Sequence, residues 1–325
     1  MAHPVIRAAL AAVALGVSAA PLAAQEAWPS RPIRLISPFA PGGSNDFTAR
    51  LMGPRMAARL GQPVVIETRS GAGGMTGVDV AAKAPADGYT LALGTTGAVV
   101  LGPALARTPP FDPLRDLAPI TVAINVQVPV VVPGRSPFHS MKDLLDAARA
   151  TPGRITFGSS GAGGMPHLVG ELMARQAGVR FVHVPYRGGG PVGTALLAAE
   201  TDFGLSDMPV FLGHHRAGTL RILAVGSPQR LSFLPDVPTL AESGLPGIET
   251  NNWHGLVTAA GVPAAVLEKL HAAAAAALHD PEVVRTMTEQ GQEAVGGSRA
   301  EFAALIRADV ARWGAVIRQV EIKPE

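Results

Sequence analysis

The 325-residue sequence contains no cysteine. Disulfides, thiolate catalysis, cysteine-based zinc sites and a lipid anchor on an N-terminal cysteine are therefore excluded. Such a chain must hold itself together by burying apolar surface. About 300 residues are enough for this, and that length favours two domains.

Aromatic residues make up only 5% of the chain, and neither sign of charge dominates. The 27 Lys and Arg residues against 25 Asp and Glu residues give a formal net charge of +2. Since no basic run or basic-aromatic patch occurs, nucleic acid is not an expected partner. Glycine is plentiful, with 37 residues, which indicates many tight loops.

Long apolar runs are also scarce. The stretch from Ala8 to Ala20 is too short and too Ala-rich for a membrane span, which needs about 20 strongly apolar residues. It follows the basic Arg7 and leads to the small residues Ala23 and Ala24, as in a secretory signal peptide. We predict a signal peptide over residues 1–24, cleaved near Ala24, and a periplasmic, soluble mature chain.

Short β-branched runs alternate with segments of helical spacing, which favours an α/β fold with mostly parallel sheets covered by helices. Phe47, Leu51, Met56 and Leu60 share one helix face, and Pro54 is expected to kink or split that helix. The predicted strands are Ile33–Ile36, Pro63–Glu67, Tyr89–Leu93, Val128–Val132, Arg154–Phe157, Phe181–Val184 and Arg221–Val225.

The last third of the sequence is predicted to be mainly helical. Helices are predicted to begin at Pro263, at Asp280-Pro281 and at a capping box formed by Ser298 and Glu301. Because no strand is expected after them, these helices should pack back onto an earlier domain.

The six-residue segment from Ser70 to Met75 recurs from Ser160 to Met165, 90 residues later. Each copy follows a predicted strand and precedes helical sequence. This repeat indicates that the chain contains two similar α/β halves.

Four Gly-rich turns connect strands to helices: Ala40–Asp46, Ser70–Gly77, Ser159–His167 and Tyr186–Pro191. Glycine permits positive φ and lets a ligand approach the backbone closely. The helix that follows directs free N–H groups and its positive dipole end at that space, so an anion can be held without a charged side chain.

Three other kinds of site fit these segments less well. None of the loops matches the phosphate-binding pattern G-x-x-x-x-G-K-[ST]. Ser159, Ser160 and His167 do not form a G-x-S-x-G hydrolase motif, although a secreted hydrolase stays an alternative function. His214 and His215 are adjacent and lack carboxylates at metal-ligand spacing, so neither a metal nor a cofactor is expected.

The ordered set of motifs resembles the Bug family, the TctC-like solute receptors of tripartite tricarboxylate transporters. The resemblance extends over nearly all of the predicted mature chain. The matching segments are Ile33–Ser37 with Phe39–Asp46 and Ala49-Arg50, Gly71–Gly74, Asp87–Leu91, Phe157–Gly161, His183–Gly189, Pro235–Thr239 and Trp253–Leu256.

The resemblance implies a two-domain periplasmic-binding-protein fold that closes on a ligand like a flytrap, with the cleft between the domains. Domain 1 would comprise residues 25–125 plus 253–325, and domain 2 residues 126–252. The implied partners are a small carboxylate and the membrane permease subunits, and the chain is expected to be a monomer and not an enzyme. A ligand sensor for a membrane signalling partner stays open as a second function.

The resemblance also implies the residues that bind the carboxylate. Asp46 is expected to order the first loop. Met165-Pro166 departs from the family pattern, and the proline removes one N–H donor from its turn. The implied ligand-binding residues are Phe39, Ala40, Pro41, Gly42, Gly43, Asp46, Ser159, Ser160, Gly161, Ala162, Gly163, Gly164, His167, Tyr186, Arg187, Gly188, Gly189 and Asp207.

Overall fold

A computed structural model describes residues 28–320, in which two β-sheets are each covered by helices on both faces. The predicted signal peptide lies outside the described residues. The six-stranded sheet contains β1 (Ile33–Ser37), β2 (Val64–Thr68), β3 (Thr90–Thr95), β4 (Leu117–Gln127), β10 (Asn251–Ala259) and β11 (Gln292–Ala294). The five-stranded sheet contains β5 (Val130–Pro133), β6 (Thr156–Ser159), β7 (Val182–Pro185), β8 (Phe203–Leu205) and β9 (Leu220–Ala224).

The helices confirm the predicted alternation with strands, and within residues 28–320 no helix is both long and apolar enough to cross a bilayer. Between β3 and β4, the helix α3 continues a π-helical turn over Gly97–Leu101. The helices are α1 (Ser44–Leu60), α2 (Met75–Ala82), α3 (Gly102–Leu105), α4 (Met141–Ala150), α5 (Met165–Ala177), α6 (Gly189–Leu197), α7 (Pro209–Arg216), α8 (Ala264–Leu278), α9 (Pro281–Glu289) and α10 (Arg299–Val320).

The sheets are mixed, and the expectation of mostly parallel sheets was wrong. The six-stranded order is β11-β4-β10-β3-β1-β2, and only β1 pairs in parallel, with β2 and β3. The five-stranded order is β7-β6-β8-β5-β9, where β6 pairs in parallel with β7 and β8. The remaining pairings are antiparallel, because the chain crosses between the sheets twice and β4, β5 and β10 return in the opposite direction.

Apolar side chains fill the spaces between the sheets and their helices. In the first sheet, α1, α8 and α9 cover one face through residues such as Met56 and Leu270, while α2 and α10 cover the other. In the second sheet, α4 and α5 cover one face and α6 and α7 the other. These layers hold the strand ends, and the loops that follow them, in fixed positions.

Helix α1 runs without interruption through Pro54, so the predicted split does not occur. Pro54 is exposed, and its ring lies on the solvent side of the helix. Of the predicted face, Met56 is fully buried, whereas Phe47, Leu51 and Leu60 are half-buried against the core.

The C-terminal helices begin at the predicted residues. Ser298 and Glu301 form reciprocal capping hydrogen bonds, with the Glu301 amide donating to Ser298 Oγ at 3.2 Å and the Ser298 amide to Glu301 Oε2 at 2.8 Å. Both α8 and α10 pack on β4, so the prediction that they return to an earlier domain is confirmed. The short strand β11 was not predicted.

The chain crosses between the sheets after β4 and again before β10. Residues 33–127 and 251–294 supply the strands of the first sheet, and residues 130–224 supply those of the second. We call the two halves the first and second domains. The boundaries at residues 126 and 252 stay a prediction, which this division of the strands supports.

Candidate functional site

Four helices of the two domains begin without a side-chain cap, and each has a glycine at its N-cap position. The N-cap residues are Gly43 for α1, Gly74 for α2, Gly164 for α5 and Gly188 for α6. The first N–H groups of a helix have no partner within the helix, and they carry the positive end of its dipole. The residues at these starts face the space between the two domains.

The strand order explains why these helix starts meet. The arrangement β3-β1-β2 in the first sheet matches β8-β6-β7 in the second. In the first sheet the chain passes from β1 to β2 on one side of β1 and later to β3 on its other side. In the second sheet it passes from β6 to β7 and later to β8 in the same way. Loops at the carboxyl ends of strands leave a crevice at such a switch point. The two crevices face each other, and together they form the cleft.

The four Gly-rich loops meet in pairs across the cleft. The loop after β1 contacts the loop after β7, and the loop after β2 contacts the loop after β6. The repeated segments at Ser70–Met75 and Ser160–Met165 therefore lie against each other. They follow β2 and β6, which are not equivalent strands of the two domains. The repeated segments therefore do not occupy equivalent positions in two similar halves. They form two loops whose backbones approach each other.

Glycine is required where these loops touch. A Cβ on Gly161 would lie 2.9 Å from the Cα of Gly73, and a Cβ on Gly73 would collide with the carbonyl oxygen of Ala162. Both glycines have positive φ, 143° and 60° respectively. By contrast, Gly43 has φ −97°, so its conformation is open to any residue.

An inner cavity lies where the starts of α1, α5 and α6 meet Gly73, which lies just before α2. About 20 Å³ of its space is open to the centre of a water molecule, which is about the room that one or two waters need. Among the described residues around it there is no Lys, Arg or His. These residues are Phe39, Gly43, Ser44, Asn45, Gly73, Thr95, Ser160, Gly164, Met165, Pro166, Gly189, Ser206, Asp207 and Asn252.

Buried side chains hold the first loop in place. Asn45 accepts a hydrogen bond from Ser37 Oγ at 3.0 Å and donates to the carbonyl of Leu93 at 2.7 Å, which ties α1 to the ends of β1 and β3. Asp46 accepts from the amide of Gly42 at 3.2 Å and from Arg50 Nε at 2.8 Å. The expectation that Asp46 orders this loop is consistent with these contacts.

A larger outer cavity, of about 370 Å³, adjoins the inner one at Phe39, Gly73 and Ser160. Tyr186 and the exposed Arg187 form part of its wall. Its other wall residues are Gly71, Ala72, Gly74, Gly161, Ala162 and Pro185. Within residues 28–320, the cleft thus has a narrow inner end without cationic side chains and a wider outer end with one arginine.

The structure places ten of the eighteen predicted site residues around these two cavities: Phe39, Gly43, Ser160, Gly161, Ala162, Gly164, Tyr186, Arg187, Gly189 and Asp207. The other eight lie beside or behind the walls. Ala40, Pro41, Gly42 and Gly188 lie in the contact between the first and fourth loops, and Asp46 lies beneath the first. Ser159, Gly163 and His167 support the third loop from behind.

Sequence reasoning missed several residues around the inner cavity. Asn45 lies within the motif Phe39–Asp46, and Asn252 immediately precedes the motif Trp253–Leu256. Both residues could therefore have been predicted from those motifs. Thr95 and Ser206 carry no local signal, because each becomes part of the cavity only through its position at a strand end. The full set missed is Ser44, Asn45, Gly73, Thr95, Met165, Pro166, Ser206 and Asn252.

Ser159 Oγ lies 2.6 Å from Nε2 of His183, which is a serine–histidine contact that the sequence did not reveal. Burial and the stacked ring of His167, centred 3.9 Å away, lower the pKa of His183 to about 3. A base with so low a pKa is poorly matched to proton transfer near neutral pH. Ser159 is fully buried, and its Oγ also accepts from the amide of Gly161. The pair therefore braces the third loop.

The fold and the cleft together define a two-domain solute-binding protein. A family model described as "Tripartite tricarboxylate transporter family receptor" matches residues 48–322. The chain therefore belongs to the TctC family of transporter receptors. This is a family of solute receptors, so the protein is not an enzyme.

Curated relatives share nearly the whole chain. A Pseudomonas sp. strain P51 protein named for the tcbD-tcbE intergenic region is 38% identical over 314 residues, 96% of this chain and 93% of its own length. BugT of Bordetella pertussis is 34% identical over 306 residues, 94% of each chain.

Solved structures of periplasmic binding proteins have the same fold. BugD superposes with a TM-score of 0.88 at 29% identity, covering 92% of this chain and 100% of its own. An R. palustris protein solved with adipate has a TM-score of 0.87 at 34% identity and the same coverage. MatC of Rhodopseudomonas palustris, solved with malate, has a TM-score of 0.86 at 28% identity, covering 89% and 99%.

Proposed function

We propose that this protein is a periplasmic receptor that captures a small carboxylate between its domains for the membrane subunits of a tripartite tricarboxylate transporter. The observation that carries the proposal is the convergence of three uncapped helix N-termini, those of α1, α5 and α6, on the inner cavity, whose wall within residues 28–320 has no cationic side chain. Such helix starts bind anions through backbone N–H groups.

The helix starts supply enough binding energy for a receptor. Each hydrogen bond to a charged ligand group contributes about 1.5–3 kcal/mol net. Two or three such bonds from each domain, less the cost of association, correspond to micromolar affinity, about −8 kcal/mol. Because both domains supply donors, a ligand stabilises the closed arrangement.

Two structural relatives support a carboxylate as the ligand. One was solved with adipate and the other with malate, and both of these acids carry a carboxylate at each end. By analogy, one carboxylate would enter the inner cavity and the remainder of the ligand would extend into the outer cavity. The eighteen residues predicted from the sequence, together with Ser44, Asn45, Thr95 and Ser206, form the proposed binding site and its support.

A thermal-shift screen over mono-, di- and tricarboxylates, amino acids and aromatic acids tests this function. A ligand at 100 times its dissociation constant adds about 2.7 kcal/mol of stability. We expect at least one carboxylate to raise the melting temperature, whereas the matched amide or alcohol does not. A folded protein that no carboxylate stabilises would overturn the proposal.

Export and delivery need separate measurements. Mass spectrometry of a periplasmic extract should find a chain that begins near Gln25, and an intact Met1 on the exported protein would contradict the predicted leader. Cells that lack this chain should lose uptake of the acid identified by the screen. Normal uptake in those cells would contradict the transport role and leave a sensor as the alternative.

A further inference from the structure

The floor of the inner cavity carries a polar cluster that joins the two domains. Asp207, which follows β8, accepts a hydrogen bond from Asn252 Nδ2 on one carboxylate oxygen, and its other oxygen lies beside His254 Nε2, each at 3.0 Å. Asn252 and His254 lie on β10, and they are only 4% and 1% exposed. Asp207 and Asn252 are both in the cavity wall. This cluster is chemically unlike the amide donors opposite.

Asn252 has an acceptor without a protein donor. Only the amide nitrogen of Asn252 can donate to the Asp207 carboxylate, so this contact fixes which end of the side chain is the oxygen. Asn252 Oδ1 is buried and has no hydrogen-bond partner among residues 28–320. A buried carbonyl oxygen left in this way is costly, and it is normally satisfied by water or by a ligand.

The geometry of His254 favours a hydrogen bond from its Nε2 to Asp207. His254 Nδ1 is buried and has no hydrogen-bond partner in the described part of the chain, so a proton there would be left without an acceptor. The tautomer with its proton on Nε2 is therefore favoured, and this proton is donated to Asp207. Each Asp207 oxygen retains a further lone pair. A carboxylate oxygen of Asp207 repels the carboxylate of a ligand that brings no donor of its own.

We infer that the preferred ligand carries a hydroxyl or ammonium group next to its anchored carboxylate, because Asp207 and Asn252, which carry acceptor oxygens, line the same inner cavity as the starts of α1, α5 and α6. The helix starts bind the carboxylate, while the ligand's donor satisfies Asn252 Oδ1 and a lone pair of Asp207. This inference rests on the proposed carboxylate-binding function. It narrows the ligand class to hydroxy or amino acids.

Calorimetry with matched acids tests the inference on the unaltered protein. Succinate, malate and aspartate share a four-carbon dicarboxylate skeleton and differ by a hydrogen, a hydroxyl or an ammonium group at one carbon. Tricarballylate and citrate form a second pair, which differs by one hydroxyl. We expect the donor-bearing acid of at least one set to bind more than tenfold tighter, that is, by more than 1.4 kcal/mol. Comparing aspartate with malate distinguishes an ammonium from a hydroxyl.

Two substitutions attribute the preference to the cluster. Asp207→Asn removes the charge with little change of shape, and Asn252→Ala removes the free acceptor. Each should reduce the preference to below about threefold, while the acid without a donor still binds. Asn251→Ala is the matched control, because Asn251 is the preceding residue of β10 and is exposed outside the cleft. It should retain the full preference.

The outcomes separate the two proposals. If no carboxylate binds the unaltered protein, the carboxylate-receptor function fails. If succinate binds as tightly as malate and aspartate, and tricarballylate as tightly as citrate, the receptor function stands and the donor inference is overturned. The ligand series decides this even if a variant does not fold. A preference that survives both substitutions would also overturn the role of the cluster.

Discussion

The backbone amide of Ala40 donates a hydrogen bond of 2.8 Å to the carbonyl oxygen of Arg187, and this bond links the loop after β1 in one domain to the loop after β7 in the other. Gly43 and Gly189 meet beside it, where a Cβ on Gly43 would lie 3.3 Å from the Gly189 nitrogen. Closure of the cleft is therefore made largely by backbone. The stability of the closed cleft therefore depends on the shape of these loops more than on side-chain charge.

Ligand binding should slow hydrogen exchange of the Ala40 amide. This amide exchanges only when the domains separate, so a ligand at 100 times its dissociation constant should protect it about 100-fold. Exchange mass spectrometry of a peptide covering residues 39–43 measures this. Residues 107–116, which lie away from the cleft, provide the control. Equal exchange of residues 39–43 with and without ligand would show that this contact does not form upon closure.

Gly43→Val should weaken carboxylate binding more than tenfold, or by more than about 1.4 kcal/mol. The reason is steric, because the branched side chain would enter the contact with Gly189 and keep the loops apart, whereas φ at Gly43 suits any residue. Calorimetry gives the affinity, and X-ray scattering should show a larger radius of gyration with ligand than for the unaltered protein. Gly213→Ala, at an exposed glycine with open space around it, should change neither.

Arg187→Ala should weaken binding by less than about fivefold. Arg187 is exposed at the outer cavity, where an ion pair contributes about 0–1 kcal/mol. Its carbonyl contact with Ala40 is made by backbone and is retained in the variant. Calorimetry beside Gly43→Val compares the two mechanisms directly. Loss of binding in Arg187→Ala with normal binding in Gly43→Val would mean that a salt bridge, and not the helix starts, holds the ligand.

His183 should make the protein less stable in acid. Because burial and His167 lower its pKa from 6.5 to about 3, the unfolded chain binds a proton between these values that the folded chain does not. Stability therefore falls as pH falls through this window. In His183→Gln, the drop in melting temperature from pH 7.5 to pH 4.5 should be smaller. The exposed His139 is the control, and His139→Gln should show the same drop as the unaltered protein. If the melting temperature of His183→Gln falls as much as that of the unaltered protein, His183 is not the group that destabilises the protein in acid.

Gly255→Ala should destabilise the protein by about 1–3 kcal/mol through overpacking. A Cβ on Gly255 would press into the ring of Phe302, which is buried against Trp253 with ring centroids 5.1 Å apart. This contact fastens α10 to the first sheet. Urea unfolding measures the loss, and Gly213→Ala provides the control for a glycine with free space. A neutral Gly255→Ala would mean that the ring moves aside without cost.

Local features of the chain were predictable because short-range chemistry decides them. The capping box at Ser298 and Glu301 is present in the structure, as is the helix start at Pro281. The same is true of the glycine turns and the uncapped helices after them. Strand β4 was missed although it has eleven residues. Its sequence includes Pro119 and Asn125, which weaken the strand pattern.

The sequence by itself therefore determined the class of the fold, the Gly-rich loops and their capacity to hold an anion, because helix caps and backbone dipoles depend on a few neighbouring residues. Tertiary structure alone decided that the loop at Gly73 meets the loop at Gly161, and that Asp207 lies against Asn252 and His254. These contacts join segments 45 or more residues apart in the chain. They depend on where β4 and β10 cross between the sheets, and no local pattern encodes that crossing.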